Sequence, residues 1–262
     1  VNPPTAQETQ SLHASMTIWH SFTLGFAVVS PIVGLYAIIG VQTAVTGGGW
    51  FAALVICLLM QLLVATVYAE LSSQFPIAGG AYKWARQFYG STAGHYAGVI
   101  YISSTIAMLT TTAYAGGIWF AGFFGSSGDS GMEKVLWAVV FLALCTALNL
   151  VHVNVFKLTI KLGVYAEVAG SFGIAILLFL FFRQHSLTEL FQHLGTGTAP
   201  SQTAAFLAAL AIAGWAFIGF DACSTTAEET HEPKRAVPRA IFFSLCTVGT
   251  VVVFNSASLI LA

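Results

Sequence analysis

Seven apolar stretches, each long enough to cross a bilayer, leave this chain few folds to choose from. They cover residues 17–45, 50–71, 93–124, 134–153, 158–182, 203–226 and 238–262. A membrane helix needs about 20 mainly apolar residues. In hydrocarbon every backbone polar group must be paired within the protein, which leaves helices and closed barrels as the spanning structures. Of the 262 residues, 57% are hydrophobic and 7% are charged, against about 25% charged in soluble domains. Such a chain cannot cover a water-soluble surface, so the lipid bilayer must act as solvent for most of it. The expected class is an all-α, multi-pass protein of the cell membrane. The net charge of −1 argues against a nucleic-acid binder, which would carry a basic patch.

Loop charges set the orientation. Lys83, Arg86, Lys157, Lys161, Lys234, Arg235 and Arg239 fall on one side of the expected membrane, and Lys134 and Arg183 on the other. The positive-inside rule puts the first group, and the N-terminus with it, in the cytoplasm. Residues 1–16 read as a polar cytoplasmic tail. The segment from Phe75 to Phe88 carries Pro76, Gly79 and Gly80, then aromatics at helical spacing with Lys83 and Arg86 between them. A short interfacial helix suits that pattern.

Two of the apolar stretches are interrupted. The first contains Ser30-Pro31-Ile32-Val33-Gly34, and its second half, 35–45, is too short to span alone, so it reads as two half-helices in line. The sixth breaks around Gly219 and places Asp221 where a bilayer would be dry. A carboxylate there costs roughly 2.5–3.5 kcal/mol unless it faces protein, water or a ligand. Paired broken helices, one opening each structural repeat, mark the binding site of a secondary transporter.

No covalent chemistry is legible, and the chain does not read as an enzyme. GxxxxGK[ST], paired CxxC and HExxH are absent, and Gly47–Gly49 follows no strand. Cys57, Cys145, Cys223 and Cys246 lie in apolar segments without metal-ligand spacing. No cofactor or metal is expected.

With both breaks in view, the chain resembles the amino acid–polyamine–organocation transporter superfamily, in its amino acid/choline/GABA permease branch. The residues that carry the likeness are Ser30-Pro31-Ile32-x-Gly34; Ala69-Glu70-Leu71 followed by Pro76-x-Ala78-Gly79-Gly80-x-Tyr82-x-Trp84; and Gly219-Phe220-Asp221-Ala222, then Ala227-Glu228-Glu229-Thr230-x-x-Pro233 and Pro238-x-Ala240-Ile241. The resemblance implies a 5+5 inverted repeat. Residues 17–182 would form the first repeat, and 203–262 would begin the second, truncated after its second helix. On that reading the chain is a fragment.

The implied cargo is an amino acid or related amine such as GABA, moved by alternating access, with H+ or Na+ as coupling ion or a second solute in exchange. A broken helix frees amides at the start of its second half and carbonyls at the end of its first. Freed amides with the positive helix end suit a carboxylate; freed carbonyls suit an ammonium. On this account the amides of Ile32, Val33 and Gly34, next to Ser30, hold the substrate carboxylate. Carbonyls near Val28, Val29, Phe217 and Ile218, with Gly219 between the halves, receive the amine. Aromatics on the sixth helix gate the exit in the family, which implies Trp215 first and Phe220 second. Asp221 either binds a cationic group or caps the second half-helix.

Glu167 lies ten residues beyond Lys157, about 15 Å into a core about 30 Å thick. An ionisable group near the midplane is functional by default, and Glu167 is expected to relay protons or pair with a cation. Some proton-coupled relatives carry a lysine on this helix in place of a sodium ion, and Lys161 is the candidate here. Glu70, Glu228 and Glu229 are expected to pair with Lys83, Arg86, Lys234 or Arg235 as a cytoplasmic gate. Ser103, Ser104 and Thr105 are read as interhelical glue. The competing reading of seven spans is a seven-helix receptor, which the cytoplasmic N-terminus opposes.

Overall fold

A computed structural model describes residues 16–47, 49–126, 130–150, 153–192 and 197–262. Nearly all of the expected tail therefore lies outside the described residues, as do Gly48 and the side chain of Lys157.

The elements in chain order are α1 (Ile18–Val29), α2 (Pro31–Tyr36), α3 (Ile39–Thr46), α4 (Phe51–Gln74), α5 (Gly80–Phe123), α6 (Gly131–Leu150), α7 (Val153–Phe181), α8 (Glu189–Gln192), α9 (Gln202–Ala213), α10 (Ala222–Thr225) and α11 (Pro233–Leu261). Short 3₁₀ turns follow α9 at Gly214–Phe217 and α10 at Ala227–Glu229. Among the described residues, seven helical segments are long and apolar enough to cross a membrane. The one strand-like feature among them is a bridge between Met16 and Thr230.

The first stretch breaks at Ser30 as its sequence requires. Pro31 cannot donate a backbone hydrogen bond, and Ser30 takes φ 48° and ψ 99°, outside the helical region. A second irregularity, not expected from the sequence, tightens the chain at Ala37 and Ile38, where the Ile38 amide donates to Leu35, three residues back. The stretch is therefore three pieces rather than two.

The basic-aromatic segment after Pro76 is helical and runs into the third span to make α5, 44 residues with a kink at Gly90 (φ 86°). Only glycine adopts that φ without strain. The segment is less interfacial than its pattern suggests. Trp84 is buried, donates from Nε1 to the Phe75 carbonyl at 3.0 Å and meets Tyr68 edge-on.

The seventh span begins at Pro233, five residues before its expected start. Proline is tolerated in a first helical turn, where its missing N–H would be unpaired anyway, and Pro238 sits inside the same helix. α11 is the centre of the molecule. Its Val237, Ile241, Leu245, Val248 and Val252 are fully buried, and their three- and four-residue spacing makes one helix face. That face packs with Phe26, Leu35, Leu54 and Phe217 in the main core. By contrast α6 has no buried residue, and α5–α7 expose many large apolar side chains, as a bilayer solvent requires.

Candidate functional site

α1 ends where the Ser30 amide donates to Phe26 at 2.9 Å. The Ser30 hydroxyl then works in two directions. It accepts from the Val33 amide at 3.4 Å, capping α2, and donates to Glu167 Oε1 at 2.5 Å. The Ile32 amide donates to the same carboxylate oxygen at 3.1 Å. Glu167 comes from α7, so a carboxylate from the fifth span occupies the break in the first.

The amides expected to be free at this break are thus engaged. Ile32 is held by Glu167, Val33 by the Ser30 hydroxyl, and Gly34 by the Ser30 carbonyl at 2.8 Å. A single oxygen receives both the hydroxyl and an amide, the arrangement that favours a carboxylate acceptor.

The second break has different geometry. Helix α9 tightens into the 3₁₀ turn, then Ile218 turns extended and Gly219 takes φ 110°. The helix restarts through Ala222, whose amide donates to the Gly219 carbonyl at 3.0 Å. Asp221 stands at the cap position of α10, but its side chain makes no capping bond. It accepts instead from the Tyr101 hydroxyl of α5 at 3.3 Å. Among the described residues, neither Glu167 nor Asp221 has a lysine or arginine partner.

The two breaks touch. A Cβ on Gly34 would stand 3.0 Å from the Ala216 carbonyl oxygen, and one on Gly219 would stand 2.7 Å from Val28 Cγ1 and 3.3 Å from the Val28 carbonyl carbon. Backbone meets backbone at both points. A cavity of about 450 Å³ opens beside the first break, lined by Ser30, Ile32, Val33, Val164 and Glu167 among others. Residues 214–221 do not line it. The structure therefore brings Ser30, Ile32, Val33 and Glu167 to one cavity, and holds Trp215, Phe217, Ile218 and Asp221 in the second break beside it.

Other expected residues fall elsewhere. Val28 is partly exposed, and Val29 is buried. Phe217 is fully buried, backbone included. Trp215 is half-buried against the core, and Phe220 is buried edge-on to Tyr68 at 5.7 Å. Lys161 is exposed and lies over the ring of Tyr165 on its own helix, away from the cavity. The expected ion-pair gate is replaced by other bonds. Glu70 accepts from Gln74 on its own helix, and Glu228 accepts from the Ala78 amide at 3.1 Å. The Met16 amide donates to the Glu229 carbonyl and the His231 amide to Met16. Ser104 and Thr105 bond carbonyls of their own helix, which satisfies hydroxyls without gluing helices together.

Sequence reasoning missed Tyr101. A tyrosine hydroxyl in a dry span needs a partner, and that signal could have singled it out. Tyr101→Phe removes the donor to Asp221, a bond to a charged group worth about 1.5–3 kcal/mol at good geometry. At 3.3 Å the expected loss is at the low end, a melting temperature lower by about 3–6 °C; an unchanged melting temperature in a thermal-shift assay would show that this bond holds nothing together.

A sequence profile of the amino acid permease family matches residues 20–262. The chain is 27% identical over 248 residues to a glutamate/serine transporter, AimA, of Bacillus subtilis; the match covers 88% of this chain and 45% of that protein. It is 27% identical over 252 residues to a putative histidine permease of B. subtilis, covering 89% and 50%. It is 24% identical over 252 residues to the low-affinity putrescine importer PlaP of Escherichia coli, covering 93% and 53%. The chain thus spans about half the length of these relatives.

Proposed function

This chain belongs to the amino acid permease family, and we propose on that premise that the whole protein is a secondary active transporter of amino acids or related amines. It works by alternating access, one helix bundle rocking against the other around the two broken helices. Residues 17–182 form the first five-helix repeat and residues 203–262 open the second. The protein sits in the cell membrane with its N-terminus in the cytoplasm, and H+, Na+ or an exchanged solute drives it. The receptor reading is set aside with the family assignment.

One observation carries this reading. The two breaks contact each other, and each has a carboxylate without a basic partner among the described residues. Each acid is half-buried and faces no competing cation among the described residues, so each can exchange a proton or take a substrate ammonium. Carbonyls near Val28, Val29 and Ile218 supply further acceptors for the amine. A substrate carboxylate takes the Ile32 amide when Glu167 withdraws, with Val33 and Gly34 next in line. Glu167 is then the coupling group, since its release is linked to substrate arrival. Trp215 covers the bound solute, and Phe220 supports that cover from the core. Lys161 plays no direct part. Relatives named for glutamate and serine, histidine, and putrescine support a cargo with an amine and leave its carboxylate optional; GABA fits within that range.

The test is uptake by the full-length protein in proteoliposomes, with a labelled panel of neutral amino acids, glutamate, GABA and putrescine, with and without pH and Na+ gradients. Saturable uptake of at least one amine-bearing solute, stimulated by a gradient or by counter-solute, is expected. Absence of uptake and of exchange across the panel would overturn the reading.

A further inference from the structure

The groove between α4 and α11 shares no lining residue with the cavity at the first break and plays no part in the proposed transport reaction. It encloses about 470 Å³. From α11 come Lys234, Arg235 and Arg239, and one to two turns further along the same helix come Phe242 and Phe243. From α4 comes the single acid, Glu70.

We propose that this groove binds the headgroup phosphate of an anionic glycerophospholipid. Charge is the first reason. Three cations face one acid, and the acid is turned toward Gln74 of its own helix at 2.5 Å. Among the described residues, none of the three cations has a hydrogen-bond or ion-pair partner. Depth is the second reason. The two phenylalanines lie about 5–6 Å along the helix axis from Arg239, and about 10–14 Å from Arg235 and Lys234, at 1.5 Å per residue. The headgroup layer of one leaflet is about 5–8 Å thick. Cations at the water boundary with exposed rings just below them match a phosphodiester above its acyl chains. Phe242 and Phe243 are 39% and 54% exposed, so the chains have apolar surface to lie on.

An orientation signal alone does not require this arrangement. The positive-inside rule needs basic residues on one side of the membrane, not three of them around one groove with an apolar floor. Basic pockets between membrane helices on that side are the sites where anionic headgroups lodge. A free phosphate would use the cations but not the rings.

The experiment is native mass spectrometry of the full-length protein in detergent with equal amounts of phosphatidylglycerol and phosphatidylcholine. Preferential retention of phosphatidylglycerol is expected. Arg239→Gln leaves Lys234 and Arg235 to orient the helix and should lower that retention about five-fold, the effect of one juxtamembrane charge. Glu70→Gln removes the opposing acid and should raise it; if Arg239→Gln does not fold, this variant decides alone. Equal retention of both lipids, or retention unmoved by the substitutions, would overturn the proposal. So would displacement by glycerol phosphate at the same concentration as the lipid, which would point to a soluble anion. Absence of any retained lipid, with the groove covered by another part of the protein, would also overturn it.

Discussion

Glu167→Ala in the full-length protein is expected to lower kcat/KM for uptake roughly 100-fold while leaving membrane insertion intact. The carboxylate joins α7 to the first break by two bonds to one oxygen, from the Ser30 hydroxyl and the Ile32 amide. Bonds to a charged acceptor are worth about 1.5–3 kcal/mol each. They act as a unit, so their joint loss is nearer 3 kcal/mol than their sum, and 1.4 kcal/mol is a factor of about ten. Insertion is spared because the span around Glu167, Leu158–Phe181, has a hydropathy of 2.0 with or without this contact. Glu167→Gln separates shape from charge. Its amide oxygen can still accept both bonds, so the break keeps its form, but the group cannot exchange a proton or attract an ammonium. Uptake lowered about ten-fold, with the response to a pH gradient blunted, is expected. Wild-type kinetics and an unchanged gradient response in both variants would remove Glu167 from the coupling step.

Gly219→Ala should be strongly damaging for the addition of one methyl group. The residue sits at φ 110°, where an L side chain is strained, and its added carbon would stand 2.7 Å from Val28 Cγ1 and 3.3 Å from the Val28 carbonyl carbon. The valine methyl can rotate away, but the Val28 backbone cannot. Backbone strain of about 1–3 kcal/mol adds to an overpacking cost of about 1–3 kcal/mol. A melting temperature lower by about 5–10 °C and loss of uptake are expected, because the two breaks no longer meet in register. Gly214→Ala is the internal control. It lies five residues earlier, has φ −54°, and its added carbon meets nothing within 4 Å. It should melt and transport like the wild type. Equal behaviour of the two variants in thermal-shift and uptake assays would refute the crossing of the breaks at Gly219.

Much of the architecture was legible because membrane physics is local. Each span had to be a helix that satisfies its own backbone, so length and hydropathy were enough to find all seven. Ser30-Pro31 and Gly219 announced the breaks through what proline and glycine do to a backbone. Boundaries were less legible where proline is permissive, and α11 began at Pro233 rather than Pro238. The second irregularity at Ala37–Ile38 had no such residue to mark it.

The candidate site divides along the same line. Glu167 was found because an acid at mid-bilayer must have a reason. Its partners were not, because they lie 137 and 135 residues away in sequence. The same distance hid Tyr101 from Asp221, 120 residues on, and let the notional gate of Glu70, Glu228 and Glu229 look like ion pairs when their bonds run to Gln74 and to backbone amides and carbonyls.

Composition and hydropathy by themselves determined a helical membrane protein with two interrupted spans, since solvent and backbone geometry act on each segment alone. Only the tertiary structure decided that the interruptions touch, and that an acid from the fifth span already fills the first. Those facts depend on which helices become neighbours, which no single segment encodes.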